Sequence, residues 1–94
     1  MKCSKEDILT WQKQGSKLGL IDIREFYETP EIDSKEVEHV PMGELLEYSF
    51  NQEVTYVLIC NSGSRATAAI MEIMRLNSKV NIYSLIGGAE AYLS

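Results

Sequence analysis

The chain is poor in the residues that build disulfide scaffolds and metal sites. It has two cysteines, Cys3 and Cys60, and one histidine, His39, among 94 residues. A disulfide-stabilised domain of this size uses more cysteines, and a zinc site uses closely spaced ligands. The composition therefore predicts reduced thiols and a reducing compartment, most simply the cytoplasm. We expect no metal site and no cofactor.

Long apolar runs and an excess of positive charge are also missing. No stretch approaches the roughly 20 apolar residues of a membrane-spanning helix, and no apolar secretory segment follows the first residues. Nine Lys and Arg stand against 14 Asp and Glu, which gives a formal net charge of −5. Nucleic acids and anionic lipids are bound by basic surfaces, so we expect neither nucleic acid nor a membrane as partner.

What the chain does contain is a regular alternation of strand-like and helix-like patterns. Helical patterns cover 5–14, 42–48, 65–76 and 89–93, and strand-like patterns cover 18–23, 37–40, 54–59 and 80–83. The charged segment between 25 and 38 predicts a short helical turn near Phe26-Tyr27 and then an irregular loop. This order predicts one α/β domain over residues 1–94 with a mostly parallel sheet.

The most informative segment spans residues 57–66. An apolar run ends at Cys60, four small or polar residues follow, and Arg65 opens a helical pattern. This order predicts a thiol at the carboxyl end of a buried strand, beside the N-terminus of a helix. Gly63 gives the loop the freedom to turn its N–H groups inward as an anion-binding nest.

Such an environment favours a charged thiol. The nest, the helix dipole and Arg65 would each hold the pKa of Cys60 below its ordinary value of about 8.5 and make it a nucleophile. The alternative is a small buried hydrophobic residue, the usual role of a single cysteine at a strand end. The chemistry of the loop alone allows sulfur, phosphate or arsenate as substrate.

Four segments, in order along the chain, resemble the rhodanese family. Residues 60–66 are similar to its active-site loop, Cys-x-x-Gly-x-Arg followed by Ser or Ala. The other three segments are Leu-Ile-Asp-Ile-Arg-Glu at 20–25, His-Val-Pro-Met-Gly-Glu-Leu at 39–45, and the closing stretch at 82–92 with its Gly-Gly pair. The resemblance implies a single rhodanese-like domain with a central five-stranded, mostly parallel sheet flanked by helices.

The resemblance also implies a function, a thiosulfate sulfurtransferase of the thiosulfate:cyanide or thiosulfate:thiol type. Cys60 would accept sulfane sulfur from a small anionic donor such as thiosulfate, become a persulfide, and pass the sulfur to cyanide, a thiol or a protein acceptor. By position, Cys60 is the catalytic residue and Arg65 the anion-binding side chain. The substrate-binding cradle would consist of Asn61, Ser62, Gly63, Ser64 and Arg65.

Two alternatives stay open. Related phosphatases and arsenate reductases place five residues between Cys and Arg, whereas this chain has four, which favours a sulfur atom over a tetrahedral phosphate. The family's Gly-His-Ile-Pro-Gly-Ala stretch corresponds here to the acidic residues 31–36. This unusual acidic stretch favours a second alternative, a non-catalytic or protein-specific sulfur-carrier or regulatory module.

A few further residues carry weaker expectations. Asp22 and Arg24 lie at a predicted strand end, where we expect a structural ion pair or capping hydrogen bonds; the minor alternative is that they shape the floor of the site near Cys60. His39 is expected to be a loop histidine that is either hydrogen-bonded or exposed, with a general base as the minor alternative. Cys3 is expected in a mobile terminus, with a resolving-thiol role as the minor alternative. Gly87-Gly88 either forms a plain turn or approaches the cysteine loop closely.

Overall fold

The computed structural model describes residues 1–62 and 64–94. Strands and helices follow one another along this part of the chain, with one pair of consecutive strands. In order they are β1 (Lys2–Cys3), α1 (Lys5–Lys13), β2 (Leu18–Asp22), β3 (Val37–His39), a 3-10 helix (Met42–Glu47), β4 (Thr55–Ile59), α2 (Ser64–Leu76), β5 (Asn81–Leu85) and α3 (Gly88–Leu93). The segment between β2 and β3 is irregular, as predicted, but Phe26 and Tyr27 lie in a turn that is not helical.

The five strands form one sheet in the order β1-β5-β4-β2-β3, and each neighbouring pair among the described residues is parallel. Its central strand, β4, is buried from Tyr56 to Ile59. This burial explains the continuous apolar run in the sequence, because both faces of a parallel sheet are covered. The predicted α/β class and the five-stranded parallel sheet are confirmed.

Helices cover both faces of the sheet. Side chains of successive strand residues point to opposite faces. Leu58 and Cys60 therefore join a core cluster with α2 and the 3-10 helix, whereas Val57 and Ile59 join a second cluster with α1 and α3. The alternation in β4 fixes the face on which the Cys60 side chain lies.

The N-terminal residues are not a mobile terminus, so that prediction is wrong. β1 pairs with β5: the Ser84 N–H donates to the Met1 carbonyl at 2.9 Å, and the Ile86 N–H donates to the Cys3 carbonyl at 2.8 Å. A strand of two residues leaves no periodic pattern in a sequence. Because β1 gives β5 a partner, β5 extends to Leu85 and passes the predicted end at residue 83.

The start of α1 follows the sequence prediction closely. Ser4 Oγ accepts a hydrogen bond from the Asp7 N–H at 3.1 Å, and the Asp7 carboxylate accepts one from the Ser4 N–H at 2.8 Å. This reciprocal pair is a capping box, which satisfies two backbone donors at the helix start. Gly15, with φ of +73°, follows the end of the helix.

Candidate active site

Cys60 lies where the sequence predicted, directly after β4 at the carboxyl edge of the sheet. Its side chain is fully buried in the same core cluster as Ala66 of α2. α2 begins four residues later, at Ser64. The N-terminal end of a helix carries positive partial charge and unsatisfied N–H groups, so this edge of the sheet suits an anion.

The loop after Cys60 presents polar groups at the surface. Asn61, Ser62 and Ser64 are exposed, and the hydroxyls of the two serines lie 2.9 Å apart. The Ser64 N–H also points to Ser62 Oγ, at 3.4 Å. Gly63, which the sequence analysis placed in the cradle, lies outside the described residues. The anion nest therefore stays a prediction.

Gly88 closes the loop from the other side. The Ala89 N–H donates to the Cys60 carbonyl at 2.8 Å. A Cβ on Gly88 would lie 2.0 Å from that carbonyl oxygen and 2.5 Å from the Asn61 carbonyl oxygen, and the residue has φ of +61°. Any side chain here would collide with backbone. Of the two alternatives for Gly87-Gly88, the close approach to the cysteine loop is the one observed.

Arg65 is held by a carboxylate that the sequence analysis did not single out. Its guanidinium forms two hydrogen bonds to Glu28, Nη1 to Oε2 at 2.8 Å and Nη2 to Oε1. This pairing, together with the Glu25 N–H, lowers the pKa of Glu28 to about 2. The same pairing raises the pKa of Arg65, and negative charge on Cys60 acts in the same direction. Arg65 therefore lies within electrostatic reach of the thiol.

A buried ion pair supports the loop from within the sheet. Arg24 Nε donates to Asp22 Oδ1 at 3.0 Å and Nη2 to Oδ2 at 3.1 Å, with both residues buried. The expected structural ion pair is confirmed. The third contact was not anticipated: Arg24 Nη1 donates to Asn61 Oδ1 at 3.0 Å, while Asn61 Nδ2 donates to Glu28 Oε1 at 3.0 Å. Asn61 thus connects the buried pair to the surface pair.

One pocket of about 210 Å³ borders the network, and another of about 210 Å³ borders the cysteine loop. One is acidic and is lined by Asp22, Arg24, Glu25, Phe26, Glu28, Glu31, Ile32, Val37 and His39. The other borders the cysteine loop and is lined by Lys2, Ser62, Ser64, Thr67, Ser84, Ile86 and Gly87. The two serines of the loop therefore face a second opening.

His39 has a structural partner, as expected. Its Nε2 hydrogen-bonds the Arg24 carbonyl, and the Phe26 ring packs edge-on at a centroid distance of 4.4 Å. His39 ends β3, however, and does not lie in a loop. Among the residues that the structure describes, no group of three or more His, Cys, Asp or Glu side chains could hold a metal ion. No helix within 1–62 or 64–94 has the length and apolar character to cross a bilayer.

Cys3 does not lie beside Cys60. β5 separates their strands in the sheet, and their side chains belong to opposite core clusters. The strands that carry Cys3 and Cys60 are two strand spacings apart, about 10 Å, which exceeds the Cα separation that a disulfide allows. Burial, and next the charge of Asp7, raise the pKa of the Cys3 thiol to about 11. A resolving-thiol role for Cys3 has no support in this geometry.

Comparison with solved structures identifies the fold. A rhodanese-related protein of Thermoplasma volcanium superposes with a TM-score of 0.77 and 23% identity, covering 98% of this chain and 89% of that one. An NAD-dependent persulfide reductase of A. fulgidus matches with a TM-score of 0.62 and 22% identity, over 94% of this chain and 18% of the larger protein.

A protein of Rhodopseudomonas palustris named as a possible tyrosine phosphatase also shares the fold, with a TM-score of 0.73 and 19% identity, covering 98% of this chain and 78% of that one. No protein-family model matches the chain, and no curated protein matches it in sequence. The chain has a rhodanese-like fold, which confirms the resemblance seen in its motifs.

Proposed function

We propose that this domain is a sulfurtransferase that carries sulfane sulfur as a persulfide on Cys60. The observation that supports this most is the position of Cys60, at the end of the central strand of a rhodanese-like sheet and just before α2. α2, all of whose residues are described, has no acidic side chain in its first turn. A thiolate at this place would meet the favourable end of the helix dipole.

The transfer takes place in two displacements. The Cys60 thiolate attacks the outer sulfur of a donor such as thiosulfate; the donor's S–S bond breaks, and sulfite leaves with the electron pair. The new Cys60 persulfide is then attacked at its outer sulfur by cyanide or a thiolate. This second step moves the sulfur to the acceptor and regenerates the Cys60 thiolate.

The loop residues have proposed roles in both steps. The backbone from Asn61 to Arg65, including Gly63, would surround the persulfide anion, and the hydroxyls of Ser62 and Ser64 would face donor or acceptor. Arg65 would contact the anionic end of the donor. Reduced thiols are needed throughout, so the cytoplasm remains the compartment we predict.

A protein-specific sulfur carrier or regulatory module is the second candidate. Two observations favour it: Cys60 is fully buried, and Glu28 closes over the nearby guanidinium of Arg65. A dedicated partner protein could open this arrangement where a small donor would not. A saturable protein partner combined with negligible turnover of small donors would select this candidate over the enzyme.

A phosphatase or arsenate reductase is the third candidate. The shared fold with the Rhodopseudomonas protein keeps it under consideration. The ring of four residues between Cys60 and Arg65 favours sulfur over phosphate. Hydrolysis of an aryl phosphate that is lost in Cys60→Ser would establish the phosphatase.

The direct test is the intact mass of the protein after incubation with thiosulfate and, separately, with a low-molecular-weight thiol persulfide. We expect a gain of about 32 Da, one sulfur atom, that a reductant removes. The Cys60→Ala variant should show no gain, whereas Cys3→Ala should behave as the wild type. No gain with either donor, or a gain that persists in Cys60→Ala, would refute sulfur transfer through Cys60.

A further inference from the structure

The guanidinium of Arg65 is already bound to a carboxylate in the folded chain. Nη1 and Nη2 each donate to one oxygen of Glu28, so both carboxylate oxygens are engaged. Arg recognises sulfonates, phosphates and carboxylates with this same forked pair of donors. A small oxyanion that reaches Arg65 must therefore compete with the Glu28 carboxylate.

Glu28 is fixed by more than Arg65. Oε1 also accepts from Asn61 Nδ2 at 3.0 Å, and Oε2 accepts from the Glu25 N–H at 2.8 Å. The Glu28 side chain is only 14% exposed, compared with 40% for Arg65. Because its pKa is lowered to about 2, Glu28 stays ionised at every pH at which the domain would work. The Glu28 carboxylate therefore competes with a donor oxyanion for Arg65 throughout this pH range.

The surroundings of Glu28 add negative charge and aromatic surface. Glu25 and Glu31 line the same pocket, within a chain of formal net charge −5. Phe26 and Tyr27, which immediately precede Glu28 in the same turn, are 85% and 83% exposed. A small dianion is repelled here, whereas a donor with an organic group has aromatic side chains to contact.

We propose that Glu28 is a specificity-determining residue, which holds Arg65 and biases the site against thiosulfate and toward thiol persulfides. The inference rests on the proposed sulfur transfer through Cys60. With a persulfide donor, the Cys60 thiolate attacks the outer sulfur, the donor's S–S bond breaks, and a thiolate leaves with the electron pair. This leaving group has one negative charge, whereas sulfite leaving from thiosulfate carries two.

The first test measures binding without transfer. In a Cys60→Ser background, thiosulfate is titrated against the protein and followed by NMR shifts of the residue 60–66 amides. Adding Glu28→Gln should lower the Kd for thiosulfate about tenfold, since a fixed opposing charge within a few ångströms is removed. The matched control is Glu31→Gln, which removes a charge from the same pocket but is not bonded to Arg65; we expect a change below about twofold.

A double-mutant cycle tests whether Glu28 weakens thiosulfate binding through Arg65. In Cys60→Ser/Arg65→Ala, the further change Glu28→Gln should leave the thiosulfate Kd unchanged within about twofold, because the group that Glu28 holds is gone. A Kd that does not fall in Glu28→Gln, or one that falls equally in Glu31→Gln or without Arg65, overturns the role of Glu28.

The second test measures selectivity in the protein with Cys60 intact. Steady-state rates of sulfur transfer to cyanide, which regenerates the Cys60 thiolate, give kcat and KM for thiosulfate and for a small thiol persulfide as donors. In Glu28→Gln, KM for thiosulfate should fall about tenfold with kcat little changed, and KM for the persulfide should change less than about threefold. Equal effects on both donors overturn the proposal. A wild-type chain that forms no persulfide with either donor refutes the proposed function instead, while the binding experiment still decides the role of Glu28.

Discussion

The chain contains two cysteines in similar local settings, and the helices that follow them differ in the charges of their first turns. Cys3 ends β1 just before α1, and Cys60 follows β4 just before α2, both at the carboxyl edge of one parallel sheet. Both are buried. A strand, a cysteine and a helix in this order are therefore insufficient to define a reactive thiol.

The first turn of the following helix makes the difference. α1 is closed by the capping box of Ser4 and Asp7, so a carboxylate occupies the N-terminal end that could stabilise a thiolate. Burial and Asp7 together raise the pKa of Cys3 to about 11. α2 begins with Ser64 and Arg65. The first turn of α2 therefore carries a cation, paired with Glu28, whereas the first turn of α1 carries the Asp7 carboxylate.

The largest effect should come from Gly88→Ala, which acts first on the backbone of the loop after Cys60. The new Cβ would collide with the carbonyls of Cys60 and Asn61, and alanine is strained at φ of +61°. We expect the free energy of unfolding in urea to fall by about 3 kcal/mol. The ¹³Cβ resonance of Cys60 should shift more than that of Cys3.

The matched control is Gly43→Ala in the 3-10 helix, where a Cβ would meet no atom within 4 Å. Its unfolding free energy should stay within about 0.5 kcal/mol of the wild type. A Gly88→Ala protein as stable as this control would mean that α3 does not approach the cysteine loop as closely as observed.

The strand and helix around Cys60 could be predicted from sequence because each has a strong local pattern. The apolar run before Cys60 predicted β4, and the helical pattern over 65–76 predicted α2. The Gly87-Gly88 pair is visible in the sequence, but only the packing of α3 against the cysteine loop distinguishes a close approach from a plain turn.

Other features could not be predicted because they depend on contacts distant in the sequence. β1 has two residues and exists through its pairing with β5. Glu28 and Arg65 are 37 positions apart, and Glu28 lies in the irregular, highly charged segment. No spacing rule connects them, so the carboxylate that holds Arg65 appears only in the folded chain.

A smaller effect tests the Cys3 side. Asp7→Asn keeps a hydrogen-bond acceptor in the capping box but removes the charge. The pKa of Cys3 should move back toward the ordinary thiol value by less than half of the present difference, and it should stay above that value, because burial is the larger cause of the raised pKa. A pH titration of the Cys3 ¹³Cβ resonance measures this, with Glu6→Gln, another acidic residue of the first turn, as control.

The same titration has a consequence for stability. The folded chain holds the Cys3 proton more tightly than the unfolded chain, so stability is full below the ordinary thiol pKa and falls as pH rises toward 11. In Cys3→Ala, the free energy of unfolding should fall less steeply between the ordinary thiol pKa and pH 11. An equally steep fall in Cys3→Ala would show that burial does not act on this thiol as described.

The smallest effect concerns the Glu28–Arg65 pair. The pKa of Glu28 is lowered to about 2, so its contribution to stability is present above the ordinary Glu pKa and is lost as pH falls toward 2. Glu28→Gln should weaken the acid dependence of unfolding in this window, by a modest amount because Arg65 is 40% exposed. Glu31→Gln should leave this pH dependence of the unfolding free energy nearly unchanged. Equal effects from the two variants would mean that the dependence comes from the overall negative charge and not from the Glu28–Arg65 pair.

The most direct test lets the two cysteines compete within one wild-type molecule. The chain is treated with a small thiol persulfide, the product is trapped by alkylation and digested, and the peptides are weighed. We predict the additional sulfur, about 32 Da, on the peptide that contains Cys60 and none on the peptide that contains Cys3. Sulfur on Cys3, or sulfur divided equally between the two, would contradict the assignment of Cys60 as the nucleophile.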